Sequence, residues 1–190
     1  MRTIKENSSY QYDIKKSKFI TLLYQVNNIE EIENILQTTR TTYKDATHCC
    51  YAYKLKNVQK FSDDGEPGGT AGLPIIEVLN KKDLSNILCI VIRYFGGIKL
   101  GAGGLVRAYS KAVRDAIEQN EIIQLTEGYL IELEANYDEQ KQYDYLFSDK
   151  IIKKEFNEKI IYYLEIKKED LNSIRNINYK IIEERMIKES

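Results

Sequence analysis

Glycine is concentrated in one part of this chain, because nine of its ten glycines and both of its prolines fall between Gly65 and Gly104. Glycine is favoured where the backbone turns with positive φ or passes close to another group, so main-chain geometry shapes this stretch. The glycines form two clusters, at 65–72 and 96–104, on either side of an apolar run. The pattern predicts two loops that face one site.

The overall composition is that of a globular protein without a strong charge bias. The 190 residues are 43% hydrophobic and carry a formal net charge of -1, whereas small dedicated nucleic-acid-binding proteins are strongly basic, so any basic surface must be local. Three cysteines, of which Cys49 and Cys50 are adjacent, form neither an even disulfide framework nor a paired metal-binding motif. Together with the lack of a signal-peptide core or a membrane-spanning run, this predicts a cytoplasmic protein with no membrane partner.

Hydrophobic periodicity predicts alternating strands and helices in the first part of the chain. A hairpin over 10–26 turns at 15–18, with alternate residues on opposite sides of each strand. Asn28 followed three residues later by Glu31 is the pattern of a helix N-cap. The predicted elements that follow are a helix over 29–43, a strand over 48–55, a loop over 61–72, a helix over 70–80, a buried strand over 87–94 and a helix over 105–118.

The segment after residue 127 has a different character, with one glycine, Gly128, and no proline. We place a domain boundary there, between a first domain over 1–127 and a second over 128–190. The second domain is predicted to contain strands over 129–136, 151–156, 160–166 and 179–187 and helices over 138–147 and 169–176. Their order, βαββαβ, is that of the ferredoxin-like arrangement, so the expected fold class is α+β with two domains.

The second glycine cluster lies between a predicted buried strand and a helix, where free backbone N–H groups and the helix dipole bind anions. A dinucleotide fingerprint that starts at Gly101 meets Val106 in place of its third glycine, and a phosphate loop that starts at Gly96 meets Ala102 in place of lysine. Neither nucleotide motif fits, so an anion site and tight helix–strand packing both remain open. The candidate binding glycines are Gly96, Gly97, Gly101, Gly103 and Gly104.

Basic residues follow the same loop. Arg107, Lys111 and Arg114 recur at helical spacing and share one face of the predicted helix. With Arg93 and Lys99 they form a candidate surface for the phosphates of RNA, for a nucleotide or for an acidic protein partner. The alternative is a solvated helix face, because acidic residues interrupt the patch.

Three carboxylates lie at the first glycine cluster, on Asp63, Asp64 and Glu66. They are candidate ligands for Mg²⁺, which takes one or two carboxylates and fills its shell with water and phosphate. Two alternatives are open: turn formation at Asp-Gly and Pro-Gly, and pairing with the arginines, which would tie the two loops together. If the carboxylates pair in this way, Asp64→Asn destabilises the fold without affecting a ligand.

His48 is the only histidine in the sequence, and strand alternation places it on the same face as Cys50. Cysteine–histidine catalysis is one interpretation of this pair, and a buried structural thiol is the more common one. No serine lies in a nucleophile-elbow motif, and the histidine lacks the paired cysteines of a zinc site. The pattern favours a binding protein over an enzyme.

The residues around the glycines resemble the signature of the IMPACT family in its bacterial, YigZ-like form. The resemblance lies in Asp63-Asp64-Gly65-Glu66-Pro67, Gly69-Thr70-Ala71-Gly72, Arg93-Tyr94-Phe95-Gly96-Gly97 and Leu100-Gly101-Ala102-Gly103-Gly104-Leu105-Val106-Arg107-Ala108-Tyr109. It extends to Asp45, Ala46 and His48 and covers residues 10–120, with Gly68 at a position where serine is common. It implies a first domain with the two-layer α/β fold of the second domain of a ribosomal small-subunit protein, followed by a small ferredoxin-like domain.

The resemblance also implies a link to translation, because eukaryotic relatives regulate translation by competing for the activator of a starvation-sensing initiation-factor kinase. We therefore expect a binding protein that contacts RNA, the ribosome or a ribosome-associated protein through the glycine-rich loops and the basic helix face. One alternative is an enzyme that binds a nucleotide or phosphorylated metabolite with Mg²⁺ at the acidic loop; another is a module that binds only protein. No resident cofactor is otherwise predicted, and the oligomeric state is not predicted.

Overall fold

The computed structural model describes residues 1–56 and 58–189 and divides the chain into two compact units, Met1–Gln124 and Leu125–Ser190. The units combine antiparallel sheets with helices, which confirms the α+β class with two domains. The predicted boundary after residue 127 and the division after Gln124 fall within one strand, Ile122–Ala135. That strand therefore contributes residues to both units.

Before the strand Ile122–Ala135, the described part of the first unit contains six strands and three helices. Its strands are β1 (Arg2–Ile4), β2 (Ser8–Ile14), β3 (Ser17–Gln25), β4 (His48–Lys54), β5 (Gln59–Ser62) and β6 (Ile87–Tyr94). Its helices are α1 (Ile29–Thr42), α2 (Gly72–Lys81) and α3 (Ala102–Glu118). The main sheet has the order β2-β3-β6-β4-β5 with antiparallel neighbours, so β6, which leads into the second glycine cluster, is the central strand.

Local sequence signals explain how the first elements form. Lys15 and Lys16 have φ of 45° and 65°, as in the type I′ turn that joins two antiparallel strands. Asn28 Oδ1 accepts the N–H of Glu31 at 2.8 Å, and Glu31 Oε2 accepts the N–H of Asn27 at 2.9 Å. The first bond satisfies an N–H group that the helix start leaves free, and the second ties Glu31 to the residue before the cap, which is why α1 begins there.

Helices cover both faces of the main sheet. On one face, α2 and α3 pack over a core that includes Phe19, Leu23 and Val91. On the other face, Ile32 of α1 joins a cluster with Leu22. The alternation expected in β3 is thus observed, because Phe19 and Leu23 face α3 while Leu22 faces α1. The expected two-layer α/β fold accounts for the sheet and for α2 and α3. It does not include α1, which covers the opposite face of the sheet.

Parts of the first unit differ from the sequence-based expectation. The predicted elements omit β1 and β5, which are strands of 3 and 4 residues and too short to show alternation. The helix expected from residue 105 begins at Ala102 and includes Gly103 and Gly104 in its first turn. Because glycine has a low helix propensity, the apolar pattern underestimates a helix that starts with glycines.

The second unit has the predicted βαββαβ order. Its elements are β7 (Ile122–Ala135), α4 (Gln140–Leu146), β8 (Ile151–Phe156), β9 (Ile160–Lys167), a 3₁₀ helix (Lys168–Ile174) and β10 (Tyr179–Lys188). The strand order β10-β7-β9-β8, with antiparallel neighbours, is the ferredoxin-like arrangement. The second predicted helix is 3₁₀ rather than α. Within the two described ranges, no helix is long and apolar enough to cross a membrane.

Gly96 is required by a close contact between segments that are far apart along the chain. A Cβ atom at this position would overlap the main-chain carbonyl of Lys16, so the β2–β3 turn rests directly on the loop after β6. Close packing leaves little room for main chain to move away from an added methyl group. Glycine at this position therefore allows the turn and the loop to meet.

We expect Gly96→Ala to lower the free energy of unfolding by about 1–3 kcal/mol, the usual cost of overpacking. Gly68→Ala is the matched control, because a Cβ there would meet no atom within 4 Å, and it should stay within about 0.5 kcal/mol of the parent. Urea denaturation measures both variants. Equal midpoints for the two would show that the turn does not rest on Gly96.

Candidate functional site

A buried ion pair connects the two glycine-rich segments. Arg93 Nη1, near the end of β6, lies 2.6 Å from Glu66 Oε1 in the loop after β5, and the two side chains are 6% and 3% exposed. Tyr109 of α3 donates its hydroxyl to the same carboxylate oxygen at 2.8 Å. One carboxylate therefore joins the acidic loop, β6 and α3. The sequence left three roles open for Glu66: Mg²⁺ binding, turn formation and pairing with an arginine. In the structure Glu66 pairs with an arginine.

Arg93 is enclosed by aromatic rings as well as by its ion pair. Its guanidinium carbon lies 5.5 Å from the ring centroids of both Phe19 and Phe95, and Nη2 lies 3.4 Å from Ser17 Oγ. The residue is 5% exposed. The sequence pattern groups Arg93 with the exposed cations because they are close along the chain. In the structure, strand alternation points the Arg93 side chain into the interior. Its charge is therefore not part of an exposed basic surface.

Asp63 closes the acidic loop by binding its backbone. Its carboxylate accepts hydrogen bonds from the N–H groups of Gly69, Ala71 and Gly72 at 2.8, 3.0 and 2.8 Å. Burial acts to raise the pKa of Asp63, but the three donors outweigh it and hold the pKa below its ordinary value of 3.8. The carboxylate is therefore ionised at neutral pH, and it binds N–H groups at the start of α2.

Asp64 joins the same loop to β4 and α1. Its Oδ2 accepts the N–H of Cys49 at 2.7 Å, and its Oδ1 lies 3.4 Å from Arg40 Nη2. The carboxylates of Asp63, Asp64 and Glu66 thus bind different protein groups. In residues 1–56 and 58–189, no group of three or more His, Cys, Asp or Glu side chains is arranged to hold a metal ion. The geometry gives no support to Mg²⁺ binding by these three carboxylates together.

His48 and Cys50 face the acidic loop from alternate positions of β4. His48 Nδ1 lies 2.9 Å from the Asp64 carbonyl oxygen, and Nε2 lies 3.7 Å from Glu66 Oε2. The Cys50 thiol donates to the Asp63 carbonyl oxygen at 2.9 Å, and burial raises the pKa of Cys50 to about 12. Because the thiolate is the nucleophile, this raised pKa favours the structural interpretation of Cys50 over the catalytic one. Both side chains contact main-chain carbonyls of the acidic loop.

The second glycine cluster forms the connection from β6 to α3. Gly97, Lys99 and Gly101 are exposed, and Gly101 precedes α3 without a side-chain cap. The first-turn N–H groups of α3 are therefore not satisfied by a side chain at the cap position. Of the two interpretations of this cluster, tight packing fits Gly96. Anion binding by the other glycines stays a prediction.

The predicted basic residues of α3 lie on its exposed face. Arg107, Lys111 and Arg114 are exposed, whereas the opposite stripe of the helix is buried. Lys111 is paired with Asp115 at 2.7 Å, and its Nζ lies 5.1 Å from the ring centroid of Tyr12. Within the described chain, Arg107 and Arg114 form no ion pair. These two arginines are the helix cations available to a partner.

Further cations, which the sequence pattern did not assign to this site, lie beside the same loop. Lys15 and Lys16 of the β2–β3 turn are exposed, and the turn rests on Gly96. Lys18 is also exposed, but its Nζ lies 5.8 Å from the Tyr94 ring centroid, on the face of the sheet that α1 covers. The turn itself is predictable from local sequence. Its contact with a loop that follows much later in the chain has no local signal.

A known domain covers this network of residues. The family model described as the Impact N-terminal domain matches residues 15–117, which is more than half of the chain. The chain belongs to the IMPACT family. The matched range contains the acidic loop, the Glu66–Arg93 ion pair and nearly all of α3. The buried network therefore lies within the domain that defines the IMPACT family.

Curated relatives and a solved structure resemble this IMPACT protein. IMPACT family member YvyE of Bacillus subtilis is 41% identical over 138 residues, which cover 71% of this chain and 64% of the relative. IMPACT family member YigZ of Escherichia coli is 41% identical over 112 residues, which cover 56% and 55%. The matched regions thus span less than two thirds of these relatives. The crystal structure of a hypothetical protein is similar over 95% of both chains, with a TM-score of 0.64 and 28% identity.

We expect Glu66→Gln to lower the free energy of unfolding by about 3–5 kcal/mol, because it leaves the Arg93 charge buried without its partner. The double variant Glu66→Gln/Arg93→Met should recover part of this loss, since neither charge then remains buried. Glu77→Gln, at an exposed position of α2, is the control and should change little. Chemical denaturation at neutral pH measures all three. A Glu66→Gln variant as stable as the control would contradict the role of the ion pair.

The stability that Asp63 provides should depend on pH. Its folded-state pKa is lowered, so the stabilisation is present above the ordinary value of 3.8 and is lost as pH falls through the folded-state value. The difference in unfolding free energy between the parent and Asp63→Asn should be largest near neutral pH and narrow below about pH 4. Denaturation at a series of pH values measures it. A difference that does not vary with pH would show that the ionised carboxylate does not close the loop.

Proposed function

We propose that this IMPACT protein is a cytoplasmic, translation-linked regulatory protein that binds ribosomal RNA without catalysing a reaction. The observation that carries the proposal is the packing of the β2–β3 turn on Gly96. This contact gathers cations from distant parts of the chain around one exposed loop. The predicted binding site, a glycine-rich loop with a basic helix face, keeps its exposed members and gains the lysines of the turn.

The basic surface, as we define it, has six exposed members. They are Lys15, Lys16, Lys99, Arg107, Lys111 and Arg114. Lys111 is paired with Asp115. The other five form no ion pair with any residue that the structure describes. Because the chain as a whole has a net charge of -1, this local excess directs an anionic polymer to one side of the first unit.

The chemistry of the basic surface suits the phosphates of a nucleic acid. Arginine binds phosphate oxygens through two parallel hydrogen bonds, and lysine adds a flexible point charge. Exposed cations on a turn, a loop and a helix suit successive phosphates of a strand, whereas small ligands are usually held in a concave, mostly apolar pocket. Phosphate contacts position a protein on RNA without reading its sequence.

Two further points support a binding role in translation. The resemblance to the IMPACT family implies a link to translation, because eukaryotic members of the family regulate translation. In the buried network, the Glu66 carboxylate and the Cys50 thiol bind protein groups, which supports binding rather than catalysis. An acidic, ribosome-associated protein is the alternative occupant of the basic surface.

Reversal of the two unpaired cations of α3 tests the basic surface. Arg107→Glu/Arg114→Glu should weaken binding to purified ribosomes and to ribosomal RNA fragments by at least about tenfold at 0.1 M salt. The slope of log K against log salt should fall by about 2, because each lost phosphate contact removes about one unit. Co-sedimentation and fluorescence anisotropy at graded salt concentrations measure both quantities.

The control for this experiment has the same change in charge at another place. Lys60→Glu/Lys81→Glu alters exposed lysines of β5 and α2 and should leave binding nearly unchanged. Equal losses in the two variants, or no loss in Arg107→Glu/Arg114→Glu, would exclude the basic surface. Digestion of the ribosomes with RNase should abolish the interaction. A protein partner that remains bound after RNase would contradict RNA as the ligand.

A further inference from the structure

Phe95 is an exposed aromatic residue next to the basic surface. It is 44% exposed and lies between the end of β6 and Gly96, the glycine on which the β2–β3 turn rests. Its main-chain N–H donates to Thr47 Oγ1 at 3.0 Å. The backbone of Phe95 is therefore held on both sides, by this hydrogen bond and by the contact at Gly96.

The ring of Phe95 is also supported by a buried charge. The Arg93 guanidinium carbon lies over the ring at 5.5 Å from its centroid, and Arg93 is itself fixed by Glu66 at 2.6 Å. On its inner side, Arg93 contacts the fully buried ring of Phe19. Because the buried guanidinium covers one face of the Phe95 ring, its exposed area belongs to the other face and the edges. The result is an aromatic platform that Arg93 supports from the interior and that is partly open to solvent.

Cations flank this platform along the surface. The Lys15–Lys16 turn rests on Gly96, the residue after Phe95. Lys99 is exposed in the same loop. Single-stranded nucleic acids are bound by this combination, in which aromatic rings stack on bases and nearby cations contact phosphates. In an RNA duplex the bases are stacked inside the helix, so a flat ring has no free base to contact.

We propose that Phe95 stacks on an unpaired base, and that the RNA bound by this protein is single-stranded where it contacts the platform. This inference rests on the proposed function and specifies the class of RNA. The phosphates on either side of the stacked base contact Lys15, Lys16 and Lys99. Every base presents a π-face, so the platform adds affinity without a strong sequence preference.

Fluorescence of a single introduced tryptophan tests the stacking directly, because the chain contains no tryptophan. A single-stranded RNA of about 10 nucleotides, within the usual site size, should quench the fluorescence of Phe95→Trp as it binds. A duplex of the same sequence should bind without quenching. Phe61→Trp is the matched control, since Phe61 is 43% exposed and lies in β5, at the opposite edge of the sheet from β2. Its fluorescence should not change.

Removal of the ring tests its contribution to affinity. Phe95→Ala should weaken binding of the single-stranded RNA by roughly five- to a hundredfold. The salt dependence and the affinity for the duplex should stay as in the parent, because the cations are unchanged. Phe95→Tyr keeps an aromatic ring and should bind like the parent. Circular dichroism and urea denaturation of each variant establish that the proteins compared are folded.

The outcomes separate this inference from the function on which it rests. Unchanged single-strand affinity of Phe95→Ala, or an equal loss for single-stranded and duplex RNA, would overturn the stacking role and leave the RNA-binding function intact. Quenching of Phe95→Trp by RNase-treated ribosomal proteins and not by RNA would assign the platform to a protein partner and overturn the inference. A parent protein that binds neither RNA would overturn the proposed function itself.

Discussion

The ion pair between Glu66 and Arg93 is the interaction on which the arrangement of the first unit depends. Two charges buried to this extent lose most of their hydration, and their attraction offsets that loss only when the geometry is close and other groups supply hydrogen bonds. Tyr109 supplies one of these bonds and Ser17 another. The acidic loop, the end of β6 and α3 must therefore meet at one carboxylate, which fixes the glycine-rich segments relative to each other.

Charges of opposite sign have different roles in the residues that resemble the family signature. The carboxylates of the acidic loop bind protein groups: backbone N–H groups for Asp63, a backbone N–H and the Arg40 guanidinium for Asp64, and the Arg93 guanidinium for Glu66. The cations, apart from Arg93, are exposed around the neighbouring loop. The acidic side is thus structural, and the proposed RNA contact lies on the basic side. Phe95 connects the two, because it lies against Arg93 and is open to solvent.

Most elements of the fold were predictable because local interactions determine them. The side-chain cap of Asn28 begins α1, and the β-branched run of β6 forms the buried strand that its sequence predicts. The short strand β5 was not predictable, since it forms by pairing with β4 and has little pattern of its own. For the site, the prediction that the acids pair with arginines fits Glu66, whereas the grouping of Arg93 with the exposed cations followed only its position in the sequence.

By itself, the sequence determined the order of strands and helices, the two-domain class and the residues that identify the family, because these depend on neighbours along the chain. Only the tertiary structure decided which charges are buried and which are exposed. Arg93 and Lys99 are six residues apart, yet one lies in the core and the other in solvent. The turn at Lys16 reaches Gly96 only when β3 pairs with β6. Burial and long-range contact depend on which segments pack together, and no local pattern contains that information.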